Sequence, residues 1–440
     1  MKIGIRKEDK SLWERRVPFV PSDLKALRDK GLDIAVQSSP ARAITDDEFR
    51  AEGIPVQDDL ADRDLIFGIK EVPKEAFLEG RVYVFFAHVI KGQPYNMPML
   101  KTMMEKKITL IDYERVVDEK NRRLIFFGRH AGLAGMVNSL WSLGQRLAME
   151  GIITPFAELR QARDYRDLDD IRAHISSVGE KVRAGGIPAA VHPLIVGITG
   201  YGNVSAGAQE ILDILPVVEI APGDVKKIAG DIMLPRDRIY KVVFKESDCV
   251  RPRDPGAAFD LQEYYRRGKE TYENDFDRFL DHLTLLVNCV YWDDRYPRLV
   301  TLEAVRRLWG DGKQPGLRVI GDISCDPEGS IECTVDATDP GDPVYVYLPE
   351  TGRTVTGFIG HGPVVMAVDI LPTEIPRESS AYFSGVLRGM VDALAGADYT
   401  APFATLALPP ELKRAVILHQ GRLTPAYAYI QKFLQALQGR

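Results

Sequence analysis

Short apolar runs that alternate with helix-like segments constrain the fold of this chain more than any other feature. The strand-like runs are 2–6, 34–37, 64–68, 82–86, 108–113 and 124–127. Helical patterns lie between several of them, for example at 22–30 and 97–106. Strands that alternate with helices are typical of a parallel sheet with helices on both faces. The first part of the chain is therefore predicted to form such a sheet.

A second unit of the same kind follows a helical stripe at 133–149. It contains an apolar strand at 194–198, a glycine turn, an amphipathic helix and a strand at 217–220. A helix that opens at Pro376 and ends at Gly396 is expected to return the chain to the first unit.

The sequence thus predicts an α/β fold with two Rossmann-like parallel-sheet domains separated by a cleft. The first domain is discontinuous and comprises 1–129 and 395–440, the substrate or catalytic domain. The second comprises 130–394, the dinucleotide-binding domain, with crossing helices at both ends. A segment at 251–278 that is rich in charge and tyrosine is predicted to be a solvated insertion.

Composition excludes several classes of partner. The 57 Lys and Arg against 63 Asp and Glu give a net charge of −6, which argues against nucleic-acid binding. No apolar run approaches the ~18 residues of a membrane span. Four cysteines without a C-x-x-C pair and an N-terminus that is charged from its second residue predict a cytoplasmic protein with reduced thiols. Its expected partners are small molecules, and the sequence leaves the oligomeric state open.

The glycine turn GYGNVS at 200–205 predicts a dinucleotide site, because it joins a buried strand to an amphipathic helix. The third fingerprint position holds Ser205 instead of Gly or Ala. The predicted coenzyme-binding residues here are Gly200, Gly202, Asn203, Val204, Ser205 and, on the next strand, Glu219. That strand ends in Ala-Pro-Gly at 221–223 and has no acid at its tip. An acid at the tip would favour NAD(H), and its absence leaves room for the 2′-phosphate of NADP(H), so the residues leave both NADPH and NADH open.

Titratable groups follow several of the predicted strands. Lys70 can be explained as part of a surface charge pair with Glu71, and His88 as a core histidine. Arg16 can lie on a solvated face. Their shared position at strand ends favours a site instead, because open α/β sheets bind ligands at that edge. A carboxylate substrate suits an arginine fork, and Glu114 and Arg123 lie near enough in sequence to complete the pocket. The remaining histidines show no metal-ligand spacing, so no metal site is predicted.

A set of segments distributed over nearly the whole chain carries a specific resemblance. They are WERRVP at 13–18, GIK at 68–70, FFAHVIKGQ at 85–93, IDYE at 111–114, FGRHAGLAGM at 127–136, TGYGNVS at 199–205, YW at 291–292, DISCD at 322–326 and LPTEIPRE at 371–378. Their order and spacing resemble the lysine–2-oxoglutarate reductase region of the bifunctional enzyme of lysine breakdown. More broadly, the chain resembles the alanine dehydrogenase and lysine-forming saccharopine dehydrogenase superfamily.

This resemblance implies an oxidoreductase that condenses L-lysine with 2-oxoglutarate to saccharopine, or the reverse, using a nicotinamide cofactor. It implies that Lys70 and His88 are the catalytic acid/base pair and that Arg16 holds a substrate carboxylate. The other substrate-side residues implied or predicted are Glu71, Lys91, Gln93, Glu114 and Arg123. Asp326 is expected on the coenzyme side.

Two alternatives come from other classes. An alanine-dehydrogenase-like enzyme would deaminate one small amino acid, and a non-catalytic dinucleotide-binding module would turn over nothing. Dependence on one or on two organic substrates separates these alternatives from the reductase.

Overall fold

The computed structural model describes residues 1–436. Its strands are β1 (Ile3–Ile5), β2 (Ile34–Gln37), β3 (Val56–Gln57), β4 (Leu65–Phe67), β5 (Val82–Phe85), β6 (Thr109–Asp112), β7 (Ile195–Thr199), β8 (Val217–Glu219), β9 (Ile239–Phe244), β10 (Val250–Pro252), β11 (Tyr272–Asn274), β12 (Leu285–Asn288), β13 (Val319–Asp322), β14 (Val344–Leu348), β15 (Arg353–Thr356), β16 (Val364–Met366), β17 (Val416–His419) and β18 (Arg422–Leu423).

Helices connect most of these strands. They are α1 (Pro21–Asp29), α2 (Asp46–Ala51), α3 (Met97–Glu105), α4 (Gly128–Met149), α5 (Leu168–Gly185), α6 (Asn203–Leu212), α7 (Val225–Ala229), α8 (Glu246–Cys249), α9 (Leu261–Arg267), α10 (Asp277–Leu280), α11 (Leu302–Trp309), α12 (Pro376–Gly396), α13 (Pro410–Arg414) and α14 (Gln431–Ala436). The predicted α/β class with two largely parallel sheets is confirmed.

The chain divides into two compact units. The first comprises Met1–Phe127 and the chain from Pro376 onwards, and the second comprises Gly128–Ile375. This division groups α12 with the first unit, whereas the sequence analysis ended the second domain at residue 394. The physical reason is the apolar face of α12, because Phe383, Leu387 and Val391 are buried in the core of the first unit.

The sheet of the first unit has the order β18–β17–β6–β5–β4–β1–β2–β3. Strands β1 to β6 are mutually parallel, and β17 runs antiparallel to β6. The central strands are buried over their whole length, as expected for a parallel sheet covered on both faces. Their carboxyl ends consequently meet at one edge.

The predicted strand at 124–127 is wrong. This segment forms no strand, because β17 already occupies the free edge of β6. Phe127 packs instead against the ring of Phe383, with centroids 5.1 Å apart. The residues at 124–127 are therefore apolar because the segment packs against the core, and not because it pairs with a strand.

The sheet of the second unit has the order β15–β14–β16–β13–β12–β7–β9–β8. The core strands β8, β9, β7, β12, β13 and β16 are parallel. Strand β9 lies between β7 and β8, so the strand that follows α6 in sequence is not the neighbour of β7.

The segment at 251–278 is not simply a solvated insertion. It contributes to the antiparallel pair β10–β11 and contains α9. Tyr264 and Tyr272 are buried in the core of the second unit, with ring centroids 5.5 Å apart. The charged residues face solvent while these tyrosines anchor the segment to the sheet.

A close crossing of α4 and α6 positions the glycine-turn helix. A Cβ atom on Gly207 would overlap the carbonyl oxygen of Arg129, and one on Gly132 would overlap that of Val204. Both glycines therefore allow the two backbones to touch. Gly207 thus supplies a close packing contact two residues after the Ser205 fingerprint position.

We expect Gly207→Ala to lower the free energy of unfolding by about 3 kcal/mol, because backbone must move to admit the methyl group. Chemical denaturation measures this loss. Gly185→Ala is the matched control, since a Cβ at Gly185 meets nothing within 4 Å and alanine favours a helix. A Gly207→Ala protein as stable as the unmodified one would contradict the close crossing.

Candidate active site

Three adjacent parallel strands of the first unit bring titratable side chains to one pocket. Lys70 follows β4, His88 follows β5 and Glu114 follows β6, each within three residues of the strand end. Together with Arg16 and Arg123 they line a pocket of about 170 Å³. The rest of its wall is apolar and consists of Phe86, Ile125, Phe126 and Phe127.

His88 is oriented by Glu71. The Nδ1 atom of His88 lies 2.9 Å from Oε1 of Glu71. Burial by itself raises the pKa of Glu71, but the hydrogen bond and charge of His88 outweigh it and hold that pKa at about 2. An ionised carboxylate can only accept a hydrogen bond, so Nδ1 of His88 carries the proton. The Nε2 atom is thereby left for proton exchange.

The backbone of His88 is also held in an unusual conformation. Its φ of 47° lies in the left-handed region, which costs a non-glycine residue of order 1 kcal/mol. The side-chain amide of Asn96 donates to the carbonyl oxygens of Ala87 and His88, both at 3.2 Å, and to Glu71 at 3.3 Å. Asn96 therefore couples the backbone turn at His88 to the carboxylate that orients its ring.

Lys70 is positioned through its backbone by Glu8, which follows β1. The two carboxylate oxygens of Glu8 accept hydrogen bonds from the backbone N–H groups of Ile69 at 2.7 Å and Lys70 at 2.9 Å. Burial raises the pKa of Glu8 to about 7, although the nearby Arg6 opposes the shift. The loop that carries Lys70 is thus attached to the end of the neighbouring strand.

The two arginines of the pocket are both paired with carboxylates. Arg16 donates from Nε and Nη2 to Glu14, at 2.7 and 2.6 Å, and its guanidinium lies 4.6 Å from the ring centroid of Phe127. Arg123 forms an ion pair with Glu114. Since Glu14 accepts from Nε and from one N–H of Nη2 of Arg16, a substrate carboxylate would engage Nη1 and the second N–H of Nη2, or displace Glu14.

An aromatic cluster packs around Phe86, which is part of the apolar wall. The ring of Phe86 is stacked on His88 with centroids 6.1 Å apart, and it contacts Tyr113 at 5.1 Å. Phe383 of α12 packs edge-on against Tyr113 at 5.0 Å. Apolar walls exclude water and strengthen the electrostatic interactions of the groups between them.

The pocket brings together some of the predicted residues and not others. Lys70, His88, Arg16, Glu114 and Arg123 line it, and Glu71 contacts His88. Lys91 is exposed on the turn after His88 and does not line this pocket. Gln93 does not line it either, and its Oε1 is buried without a hydrogen-bond partner among residues 1–436.

Sequence reasoning missed Glu8 and Asn96. Glu8 lies three residues past the end of β1, which is the same strand-end signal that identified Lys70 and His88. Asn96 lies on the turn before α3 and is brought to Glu71 by the fold, so no local sequence pattern identifies it.

The glycine turn of the second unit fits a dinucleotide pyrophosphate. Gly200 has a φ of +85°, and a Cβ on Gly202 would meet nothing within 4 Å. Gly202 is the N-cap of α6 and makes no side-chain hydrogen bond to the first amides of this helix, which include those of Asn203 and Val204 and suit an anion. Ser205 is buried, and its hydroxyl accepts from Nε2 of Gln209 at 3.0 Å.

Glu219 and Asp326, the other residues predicted on the coenzyme side, lie at or after the ends of two different strands of this sheet. Glu219 ends the edge strand β8 and pairs with Lys241 of β9 at 3.0 Å. Asp326 is exposed on the loop after β13, whose carboxyl end faces the same edge as that of β7.

A buried polar network ties these strand ends together. Thr199 donates to Asn288 at 2.7 Å, and Asn288 donates to Asp322 at 2.9 Å. Thr334 donates to the other oxygen of Asp322 at 2.7 Å. Burial raises the pKa of Asp322 to about 6 against these hydrogen bonds. The network links the ends of β7, β12 and β13 next to the Asp326 loop.

The part of the chain that the structure describes contains no group of three or more His, Cys, Asp or Glu side chains arranged to hold a metal ion. In the same part, no helix is both long and apolar enough to cross a bilayer.

Comparison with known proteins gives relatives over nearly the whole chain. Residues 4–134 match the alanine dehydrogenase/PNT N-terminal domain family. The chain is 36% identical to alpha-aminoadipic semialdehyde synthase of Arabidopsis thaliana over 98% of its own length, and 33% identical to the mitochondrial enzyme of that name from Bos taurus. It spans only 41% and 47% of these two relatives. It is also 28% identical to the saccharopine dehydrogenase [NAD(+), L-lysine-forming] of Emericella nidulans, over 88% of this chain and 90% of that protein.

Solved structures support the fold. An L-alanine dehydrogenase superposes with a TM-score of 0.63 at 19% identity, covering 99% of this chain and all of that one. A transhydrogenase from Sinorhizobium meliloti superposes with a TM-score of 0.54 at 15% identity, over 96% of this chain and all of that one. These similarities confirm a two-domain Rossmann-like architecture.

Asp112, at the end of β6, makes the stability of the first unit depend on pH. Burial raises its pKa from 3.8 to about 7, while the N–H of Glu114, which donates at 2.8 Å, partly offsets the shift. A raised folded-state pKa disfavours ionisation in the folded protein. Its contribution to stability is therefore fully present below pH ~4 and is lost as the pH rises through about 7.

In the unmodified protein, Asp112 should lower the free energy of unfolding by on the order of 4 kcal/mol as the pH rises from ~4 to ~8. We expect this decrease to be absent in Asp112→Asn. Denaturant titrations across this range measure the difference between the variant and the unmodified protein. Asp47→Asn is the control, because that side chain is 92% exposed. Parallel pH curves for the unmodified protein and Asp112→Asn would show the assignment to be wrong.

Proposed function

We propose that this chain, which carries an alanine dehydrogenase/PNT-type N-terminal domain and is homologous to the alpha-aminoadipic semialdehyde synthases and the lysine-forming saccharopine dehydrogenases, is a nicotinamide-dependent oxidoreductase. Its reaction is the condensation of L-lysine with 2-oxoglutarate to saccharopine, or the reverse. The observation that carries the proposal is that Lys70, His88, Arg16 and Glu114 line the same pocket at the ends of parallel strands.

The reaction needs both a proton acceptor and a proton donor. The ε-amine nitrogen of lysine forms a bond to the keto carbon of 2-oxoglutarate and loses a proton. The keto oxygen takes up two protons, one to become a hydroxyl and one to leave as water, which gives a protonated imine. Lys70 and His88 are the lining groups whose side-chain nitrogens can each accept a proton and return it, and Glu71 keeps the other proton of His88 on Nδ1.

The bound coenzyme supplies the hydride that reduces the imine to a secondary amine, or accepts it in the reverse direction. The residues proposed to hold it are those of the glycine turn, Gly200 and Gly202, with the first amides of α6, and Asp326 on the same edge of the sheet. The name of the Emericella nidulans relative specifies NAD(+), whereas the strand tip at 221–223 leaves room for the 2′-phosphate of NADPH.

The arginines account for the charge of the substrates. Both lysine and 2-oxoglutarate carry carboxylates, and a guanidinium binds a carboxylate through two parallel hydrogen bonds. Arg16 and Arg123 are each held by a glutamate, which keeps them in place without substrate. The pocket is smaller than the roughly 300–1,000 Å³ usual for a drug-sized ligand, so we assign it to the reacting end of the substrates.

The cysteines bear on the proposed location. Cys249, Cys289, Cys325 and Cys333 are all unpaired. Unpaired thiols fit a reducing compartment, and we propose the cytoplasm. The bovine relative, by its name, is mitochondrial.

Oxidation of a reduced nicotinamide coenzyme, followed by absorbance, is expected only when lysine and 2-oxoglutarate are both present. Lys70→Met should lower turnover by about a hundredfold or more while coenzyme binding is retained, because it removes one of the two proton-exchanging groups. Lys101→Met is the matched control, since Lys101 is exposed on α3.

The alternatives give different results in the same assay. An alanine-dehydrogenase-like enzyme would instead reduce added oxidised coenzyme with one amino acid and no 2-oxoglutarate, and a binding module would change the absorbance of neither coenzyme form. Near-normal turnover of Lys70→Met would refute the catalytic role of this lysine.

A further inference from the structure

The first two turns of α12 contact the segment that carries Arg16. Helix α12 is part of the first unit, and its Phe383 packs against Phe127, the ring on which the Arg16 guanidinium lies. Arg377, Ser380 and Phe383 follow one another at intervals of three residues, so they are neighbours on one face of the helix. The helix begins within the segment LPTEIPRE at 371–378, to which the proposed reaction assigns no role.

Ser380 holds the backbone directly after Arg16. The N–H of Val17 donates to the hydroxyl oxygen of Ser380 at 3.0 Å. The hydroxyl in turn donates to the carbonyl oxygen of Pro376 at 2.6 Å, which leaves a lone pair of the hydroxyl oxygen for Val17. Val17 and Ser380 are both 1% exposed, so water does not replace this hydrogen bond when the hydroxyl is removed.

The backbone directly before Arg16 is held from the same helix through Ala43. The N–H of Ala43 donates to the carbonyl oxygen of Arg15 at 2.9 Å. The carbonyl oxygen of Ala43 accepts from Nη1 of Arg377 at 2.8 Å. Nη2 of Arg377 donates to Glu48 at 2.5 Å, and this pairing holds the pKa of Glu48 at about 2. Arg377 is thus fixed by an ionised carboxylate while it holds Ala43.

The position of this backbone decides where the guanidinium of Arg16 lies. The Arg16 side chain is 4% exposed, and it is held between Glu14 and the ring of Phe127. A guanidinium binds a carboxylate through two parallel hydrogen bonds that both depend on its orientation. A displacement of the backbone by a fraction of its length therefore weakens carboxylate binding even though the arginine itself is still present.

We propose that the first two turns of α12 position Arg16 for a substrate carboxylate, with Ser380 and Arg377 as the positioning residues. This inference rests on the role of Arg16 in the proposed function. A carboxylate that does not react is bound alike in the ground state and in the transition state. A displaced Arg16 should therefore weaken substrate binding and leave the rate of the chemical step nearly unchanged.

The test is steady-state kinetics of full-length variants, with lysine and 2-oxoglutarate varied in turn. Arg16→Lys identifies the substrate whose KM depends on the guanidinium. Ser380→Ala should raise the KM of that same substrate about fivefold or more, while kcat stays within about twofold. Ser380→Thr keeps the hydroxyl and should restore the KM, because a helical threonine can also donate to the carbonyl oxygen four residues earlier.

Ser384 provides the matched control on the same helix. It is fully buried, and its hydroxyl accepts from the N–H of Val20 at 3.0 Å and donates to Asp23 at 2.6 Å. Ser384→Ala should lose stability in chemical denaturation, as Ser380→Ala does, but leave both KM values unchanged, because Val20 leads into α1. Arg377→Met should raise the same KM as Ser380→Ala by a smaller factor, because Arg377 acts through Ala43.

Unchanged KM values in Ser380→Ala, a loss confined to kcat, or an equal rise of KM in Ser384→Ala would overturn the inference. Calorimetric titration with each substrate, in the presence of reduced coenzyme and without the other substrate, gives the same comparison as dissociation constants. Binding that depends on Arg16 without turnover would refute the proposed reaction, and the titrations would still decide the role of Ser380. If Arg16→Lys changes neither KM nor binding, the proposed role of Arg16 and this inference are both wrong.

Discussion

The parallel register of β1, β4, β5 and β6 is the constraint on which the candidate site depends. Each strand pairs with its neighbour over three or four residues, so their carboxyl ends lie at one edge of the sheet. Side chains that are 18 and 26 residues apart in sequence, at Lys70, His88 and Glu114, thereby reach the same pocket. A shift of register by one residue would turn each of these side chains to the opposite face.

Hydrogen bonds from buried carboxylates then fix the backbone and side-chain positions of these residues. Glu8 holds the backbone that carries Lys70, Asp112 accepts from the N–H groups of Ala87 and Glu114, and Glu71 orients the ring of His88. Burial raises the pKa of Glu8 and of Asp112, and the pairing with His88 lowers that of Glu71. Buried carboxylates thus have two roles in this site. Glu8 and Asp112, whose charged forms are disfavoured by burial, hold the backbone, and Glu71, which stays charged, orients the ring of His88.

Much of this could be predicted from the sequence, because strand ends in α/β folds are identifiable from apolar runs and the residues just past them. That rule located Lys70, His88 and Glu114. It did not locate Asn96, which reaches Glu71 only after the chain has folded, and it misassigned the run at 124–127, since apolarity encodes burial and not pairing. The order of β8 and β9 in the sheet could not be predicted from the sequence either, because the apolar pattern of each strand is the same whichever of them lies at the sheet edge.

The central claim is that the strand-end pocket joins the ε-nitrogen of lysine to the keto carbon of 2-oxoglutarate. The most direct measurement is mass spectrometry of the product formed from lysine labelled with ¹⁵N at the ε-position, unlabelled 2-oxoglutarate and reduced coenzyme. We expect one product that contains the ¹⁵N and all the carbon atoms of both substrates. Labelled glutamate, or recovery of lysine and 2-oxoglutarate both unchanged, would contradict this reaction.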